Sequence, residues 1–190
     1  MKQLPILSQD QLKETQLSSE LIFDGKVLHV FCDKIALPNG KSSTREYIKH
    51  NGAVCIIPVT AEREVVCVRQ YRYAVGQVLL EIPAGKLDTP QEDPREAALR
   101  ELREETGAVC GRLTDLGVYL GSPALIGETI HMYLAEDLVF GDTDPDEDEF
   151  LDIVRIPLAD LVELVMAGQV PDGKTQAAVL RAARMLDGVK

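Results

Sequence analysis

GKLDTPQEDPREAALRELREETGA, residues Gly85 to Ala108, is the stretch from which the rest of the chain can be read. Asp93 stands as an N-cap, Pro94 takes the first helical position, Glu96 lies three residues after the cap, and Gly107 stops the run after Thr106. This spacing predicts a helix over Pro94 to Thr106. At about 100° per residue, Ala98, Leu99, Leu102 and Thr106 share one side, while Glu101, Glu104 and Glu105 fill an adjoining sector. Like charges three and four residues apart cost an isolated helix a few tenths of a kcal/mol per pair, so the arrangement favours a cation or arginines among the carboxylates. Oxygen ligands of this kind suit Mg²⁺ or Mn²⁺. Taken alone, Glu-x-x-Glu-Glu reads as a solvated face paired with Arg100 and Arg103, and the surrounding sequence must decide.

Upstream, KVLHVFCDKIAL (Lys26 to Leu37) and REYIKH (Arg45 to His50) flank Pro38-Asn39-Gly40-Lys41, the pattern of a hairpin. Ala53 to Val59 and Glu64 to Gln70 suggest a second strand pair across the Thr60 to Arg63 turn, and Val78 to Pro83 another short strand. Downstream, Leu113 to Leu120, Thr129 to Ala135 and Phe150 to Ile156 read as strands, while Pro157 to Ala167 and Lys174 to Leu186 have helical periodicity. Strand pairs interrupted by one helix and finished by two more predict an α/β chain (α+β in its segregation of elements), with a mixed β-sheet sandwiched between helices and an N-terminal antiparallel β extension. The expected division is 1–50 for the extension and 51–190 for the main domain.

The 190 residues are 45% hydrophobic and 27% charged, ordinary for a globular chain that buries on the order of 70% of its unfolded surface. With no Trp and 5% aromatics the core is expected to be aliphatic. The net charge of −11 disfavours nucleic acid and anionic membrane surfaces as partners, but not a small phosphorylated substrate screened by a cation or a few arginines. Cys32, Cys55, Cys67 and Cys110 form no Cys-x-x-Cys pair, which fits buried thiols in a reducing compartment. The N-terminus lacks a signal-peptide pattern and no apolar run is long enough to span a bilayer, so a cytoplasmic location is expected. Asp142, Asp144 and Asp146 open like a calcium loop, but Glu147 and Ile153 stand where Gly and the bidentate Glu should be. No phosphate-loop motif of the Gly-x-x-x-x-Gly-Lys-Ser/Thr type is present.

Gly85 to Ala108 resembles the signature of the Nudix hydrolases, which cleave nucleoside diphosphates linked to another moiety. Arg100-Glu101-Leu102-Arg103-Glu104-Glu105-Thr106-Gly107-Ala108 fits its second half throughout, with Glu92 at the right distance before Arg100. Six residues rather than five separate Gly85 from Glu92, an insertion that falls before the helix cap. The likeness extends over about residues 20 to 186 and points to the branch of ADP-ribose pyrophosphatases and nucleotide-sugar hydrolases. It is carried by Arg45-Glu46, by Val68-Arg69-Gln70-Tyr71-Arg72, by Leu80-Glu81-Ile82-Pro83-Ala84-Gly85-Lys86, by Ser122-Pro123 before Glu128, and by Asp172-Gly173-Lys174-Thr175. Ala124-Leu125 replaces the branch's Gly-Phe.

The resemblance implies a divalent-metal-dependent hydrolase, with Mg²⁺ or Mn²⁺ held by Glu101, Glu105 and the backbone carbonyl of Ala84, and with Glu104 a further ligand or base. It implies that Glu128 orients or deprotonates the attacking water and that Glu92 orients Arg100. Residues three apart on a strand point to opposite faces, so of Arg69 and Arg72 one could meet the diphosphate and the other solvent or a partner subunit. The resemblance favours Arg72 for the substrate, Arg45 for the nucleotide end and Glu81, a polar residue in an apolar strand, for the ribose. It also implies a homodimer with exchanged N-terminal strands. The substrate expected is ADP-ribose or a related nucleotide sugar. The alternatives are a hydrolase of another nucleotide sugar such as a GDP-hexose, and a non-catalytic nucleotide-sensing module, against which the three retained glutamates weigh.

Overall fold

The computed structural model describes residues 11–144 and 149–188. Strands β1 (Thr15–Asp24), β2 (His29–Ala36) and β3 (Ser42–Lys49) form an antiparallel sheet, β2 in the middle. Its second turn is the expected Asn-Gly hairpin, closed by the Gly40 amide on the Leu37 carbonyl at 2.9 Å. β1 lies ahead of every strand the sequence analysis picks out, and all ten of its residues are exposed. The chain divides into two compact units, one comprising the residues up to His50 together with Ser122–Gly127, the other Asn51–Gly121 and Glu128 onward. Within the first unit the 122–127 segment is tied to β3, the Ile48 amide donating to the Leu125 carbonyl at 2.8 Å and the Gly127 amide to the Ile48 carbonyl at 2.9 Å.

The second unit is built on β4 (Ala53–Pro58), whose six residues are all buried. It lies between β7 (Ala84–Lys86, antiparallel) and β9 (Ile130–Phe140, parallel), with β8 (Ala108–Tyr119) beyond β9. Alternate residues of β4 feed two cores. Val54 and Ile56 pack with Ala97, Ala98 and Leu102 of α1 (Pro94–Thr106), while Cys55 and Ile57 pack with Leu161 of α2 (Leu158–Met166) and Ala178, Val179 and Ala182 of α3 (Gly173–Leu186). The mixed sheet between helices is therefore the one expected, and its core is aliphatic.

The expected pairing of Ala53–Val59 with Glu64–Gln70 is not made. The Thr60 to Arg63 turn forms, but beyond a single bridge between Val59 and Val65 the strands part, and β5 (Glu64–Arg72) joins β6 (Gln77–Glu81) and β10 (Asp152–Pro157) in a separate sheet. β9 holds one edge of β4 along Ala53–Pro58, and on the other edge β7 and the Pro83 carbonyl take the residues up to Ile56, so only a short stretch next to the turn is left for β5. β8 and β9 also run further than expected, from Ala108 and to Phe140. All four cysteines are free, and burial pushes the thiols of Cys55 and Cys67 up to about 12.

Helix α1 has the predicted ends. Asp93 Oδ1 accepts from the Arg95 amide at 2.8 Å, Pro94 opens the helix, and Gly107 closes it in the left-handed region at φ 68°. A Cβ on Gly107 would also run into the Gly141 carbonyl. Gly168, at φ 71°, has nothing near the place where its Cβ would lie. Gly168→Ala is therefore expected to cost the left-handed penalty alone, about 1–2 kcal/mol, and Gly107→Ala clearly more, as measured by urea unfolding. Equal losses would show that the contact with Gly141 is relieved without strain.

Candidate active site

The last two turns of α1 carry Glu101, Glu104 and Glu105 onto the β7 strand. Glu101 and Glu105 are buried, at 8% and 5% exposure, and Glu104 is partly exposed. The helix can bring them so close because position 85 is glycine: a Cβ there would coincide with the Glu101 carboxylate. The Ala84 amide donates to Glu105 Oε1 at 3.3 Å, so it is the N–H of Ala84 that touches a candidate ligand.

Arg100 lies among the carboxylates. Its Nη1 donates to Glu101 Oε1 at 2.8 Å and to Glu104 Oε2 at 3.1 Å, and its Nη2 reaches the Lys86 carbonyl at 3.3 Å and Glu92 Oε1 at 3.4 Å. The other oxygen of Glu92 accepts from the Asp88 amide at 2.6 Å, so the loop with the extra residue still presents Glu92 to the arginine. The insertion is absorbed ahead of the helix cap.

A cleft of about 830 Å³ opens over these groups, within the range of small-molecule sites. It brings together Arg72, Ala84, Arg100, Glu101, Glu104 and Glu128 with Glu149, Asp172 and Lys174. Glu105 borders an adjacent hollow of about 520 Å³ with Arg69 and Glu149. Arg69 and Arg72 part as strand geometry requires. Arg69 pairs with exposed Asp152 at 2.9 Å, whereas Arg72 makes a two-point bond to Glu81, Nε to Oε1 at 2.8 Å and Nη2 to Oε2 at 2.7 Å. Glu81 is 1% exposed and also accepts from Lys174 Nζ. Arg45 belongs to the first unit, where it pairs with Glu14.

Three contributors escape the sequence reading. Lys174 and Asp172 sit in a quoted motif but are given no role there, and Glu149 ends a stretch read as a solvated acidic loop, of which 145–148 lie outside the described residues. The signal available for Lys174 is its place beside the cap residue Asp172, which accepts from the Thr175 amide at 2.9 Å and so fixes the start of α3.

The donor set fits a hard divalent cation. Glu105 Oε2 is buried with no hydrogen-bond partner among the described residues, a costly state for a carboxylate unless a proton or a cation meets it. Among the described residues no three His, Cys, Asp or Glu side chains already stand as a metal-binding group, because Arg100 fills the space between Glu101 and Glu104. Burial pushes Glu101 up to about 7, against the pull of Arg100, and Glu105 up to about 8, with Glu149 adding to both.

A folded-state carboxyl that holds its proton more tightly than the unfolded chain does stabilises the fold at low pH and loses that contribution as pH rises. For Glu105 the window runs from the ordinary 4.5 to about 8. In EDTA, Glu105→Gln is therefore expected to be more stable than the parent by about 4 kcal/mol at pH 8 and by no more than about 1 kcal/mol at pH 5, as read by chemical unfolding. A uniform offset at both pH values would remove the buried-proton account.

The chain is similar to known proteins over most of its length. The NUDIX domain family matches residues 49–179, and the nucleoside diphosphate sugar hydrolase N-terminal domain family matches residues 14–48. An ADP-ribose pyrophosphatase of Bacillus subtilis (strain 168) is 41% identical over 88% of this chain and 91% of its own. A methanol dehydrogenase activator of Bacillus methanolicus is 40% identical over the same shares, 88% and 91%. A GDP-mannose pyrophosphatase of Escherichia coli (strain K12) is 32% identical over 68% of this chain and 71% of its own. Among solved structures, an ADP compounds hydrolase superposes with a TM-score of 0.82 at 26% identity, covering 95% of this chain and 98% of that one. The chain, whose acidic helix face packs against Gly85 with Arg100 among the carboxylates, belongs to the Nudix family.

Proposed function

We propose that the chain hydrolyses the diphosphate bond of ADP-ribose or a closely related nucleoside diphosphate sugar, giving AMP and a sugar phosphate, with Mg²⁺ (or Mn²⁺) as cofactor. The observation that carries the reading is the buried Glu101 on the lining of a cleft that also presents Arg72, Lys174 and Glu128, with buried Glu105 bordering the adjoining hollow. The 41% identity with an ADP-ribose pyrophosphatase supports the substrate class. GDP-mannose is the second substrate to try, because a pyrophosphatase of that sugar nucleotide is 32% identical.

Hydrolysis needs water to reach an anionic phosphorus, form a P–O bond and break the bridging P–O bond, so the site must offset charge and hold the water. A divalent cation bound here would screen the diphosphate and increase the acidity of water. Glu101 and Glu105, with the Ala84 backbone and Glu104, are the groups that would hold it. Glu128, on the cleft wall, is the candidate to orient the water and take its proton. Arg72 suits the diphosphate because a guanidinium makes two-point bonds to phosphate oxygens. Arg45 is assigned to the nucleotide end and Arg69 to a supporting place beside the site; the ribose role that the resemblance implies for Glu81 is not kept, because Glu81 is 1% exposed, outside the cleft lining and bonded through both oxygens to Arg72 and Lys174.

A homodimer through the N-terminal strands belongs to the same reading. Leu17, Leu21, Ile22 and Phe23 of β1 are 47–56% exposed, apolar area that a second copy would remove from water. A dimer is expected by light scattering at micromolar concentration, and Phe23→Asp should shift it toward monomer; a parent chain that stays monomeric would remove this part.

The decisive assay follows ADP-ribose, GDP-mannose and ATP with Mg²⁺, Mn²⁺ and EDTA, and identifies products. Metal-dependent release of AMP and ribose 5-phosphate is expected, and Glu105→Gln should lower kcat by about 10²–10³ with the fold intact. Unchanged turnover in that variant would overturn the metal-site assignment. Tight nucleotide binding without turnover of any nucleotide sugar would favour the sensing module.

A further inference from the structure

Glu81 is the most deeply buried acid of the cleft region, yet it is met by two cations where one would neutralise it. Arg72 alone satisfies both its oxygens, through the two-point bond at 2.8 and 2.7 Å. Lys174 adds a bond to Oε2 and reaches Asp172 Oδ1 at 3.1 Å. Arg72 and Lys174 both line the cleft, and Glu81 stands behind them, outside the lining. The two cations are not equivalent. The Lys174 side chain is 12% exposed and fixed to the start of α3, whereas the Arg72 side chain is 42% exposed and has room to turn.

Resting on the proposed reaction, we infer that Lys174 is a positioning residue: it keeps Glu81 paired while Arg72 exchanges that carboxylate for the diphosphate of the substrate. Removing one partner of a buried ion pair strands an uncompensated charge, which is the strongly unfavourable step. With Lys174 present, Arg72 can leave without stranding Glu81. With Lys174 gone, Glu81 holds Arg72 back, and an anionic substrate has to compete with a buried carboxylate for it.

This makes the effect of Lys174 conditional on the charge of Glu81. Lys174→Met, of similar length, should raise KM for the nucleotide sugar roughly tenfold with kcat changed by less than about threefold, and Lys174→Arg should restore KM. In the Glu81→Gln background the same Lys174→Met change should leave KM where Glu81→Gln alone puts it. Calorimetric binding of inorganic pyrophosphate in EDTA should follow the same cycle, because it samples Arg72 without turnover. Thermal unfolding checks that each variant is folded, with Lys174→Gln as the replacement if Lys174→Met is not.

Equal effects of Lys174→Met with and without Glu81 charge would overturn the inference, in favour of a lysine that touches the phosphate itself. Parallel losses in kcat and Tm with unchanged KM would overturn it in favour of a merely structural lysine, and absence of pyrophosphate binding by the parent chain would overturn it as well. A pyrophosphate cycle that holds in a chain hydrolysing no nucleotide sugar would sustain the role of Lys174 and remove the proposed reaction. Hydrolysis with an additive cycle would do the reverse.

Discussion

Two carboxylates buried at the end of one helix are the constraint on which this structure turns. Glu101 and Glu105 lose most of their hydration, a loss that a solvated helix face never incurs, and their surroundings are arranged around that cost. Ala97 and Ala98 let α1 approach β4 closely, Leu102 fixes its rotation, and Gly85 leaves room for the Glu101 carboxylate. Arg100 and Glu92 then brace the outer side, so the loop before the helix is held by the same charges that define the site. Buried carboxylates carrying raised affinity for protons are groups poised to accept a cation in the proton's place.

The sheet explains why these groups face a cleft. β4 is buried on both faces and paired on both edges, so it is the one strand that every layer of the second unit must respect. Its pairing with the three-residue strand β7 puts Ala84 and Gly85 beside the helix, and its parallel pairing with β9 places Ile130 opposite Ala53, so that the chain just before β9 delivers Glu128 to the same end of the sheet. Helix α3, packed on the opposite face of β4 from α1, brings Asp172 and Lys174 to that end from the other side. Most of the site comes from strand and helix ends that converge, with Glu149 added from the connection between β9 and β10.

What could be read from the sequence is what local physics encodes. The cap at Asp93, the stop at Gly107 and the spacing of the three glutamates are decided within thirteen helical residues, and the structure has them. The Asn-Gly turn is local too. Pairing between β4 and β9 is not, since an all-apolar strand such as Ala53–Pro58 states that it is central without naming its neighbours. The same blindness produced the expected β4–β5 hairpin, because a good turn at Thr60 to Arg63 says nothing of whether an edge is free. β1 was invisible for a further reason: fully exposed, it shows no alternation of apolar and polar residues to mark a buried face. Glu81 stood out as a polar residue in an apolar strand, but its bonds to Arg72 and Lys174 join positions nine and 93 residues away, and only the fold brings those together.

Two groups of charges on the cleft differ in balance, and the difference bears on how a chain of net charge −11 could take an anionic substrate. In one group Glu101 and Glu104 surround a single arginine, with Glu128 and Glu149 on the lining too, so the local excess is negative and favours a cation. In the other, Arg72 and Lys174 balance Glu81 and Asp172, and the carboxyl of Glu81 is held below the usual range despite its burial by the pull of those two cations. A neutral but internally paired cluster does not attract an anion from afar; it can only exchange partners at contact. On the proposed reading a cation held by the acidic group would offset the long-range repulsion, while the paired group would discriminate by geometry, since an anion that presents two oxygens to Arg72 matches what Glu81 already offers.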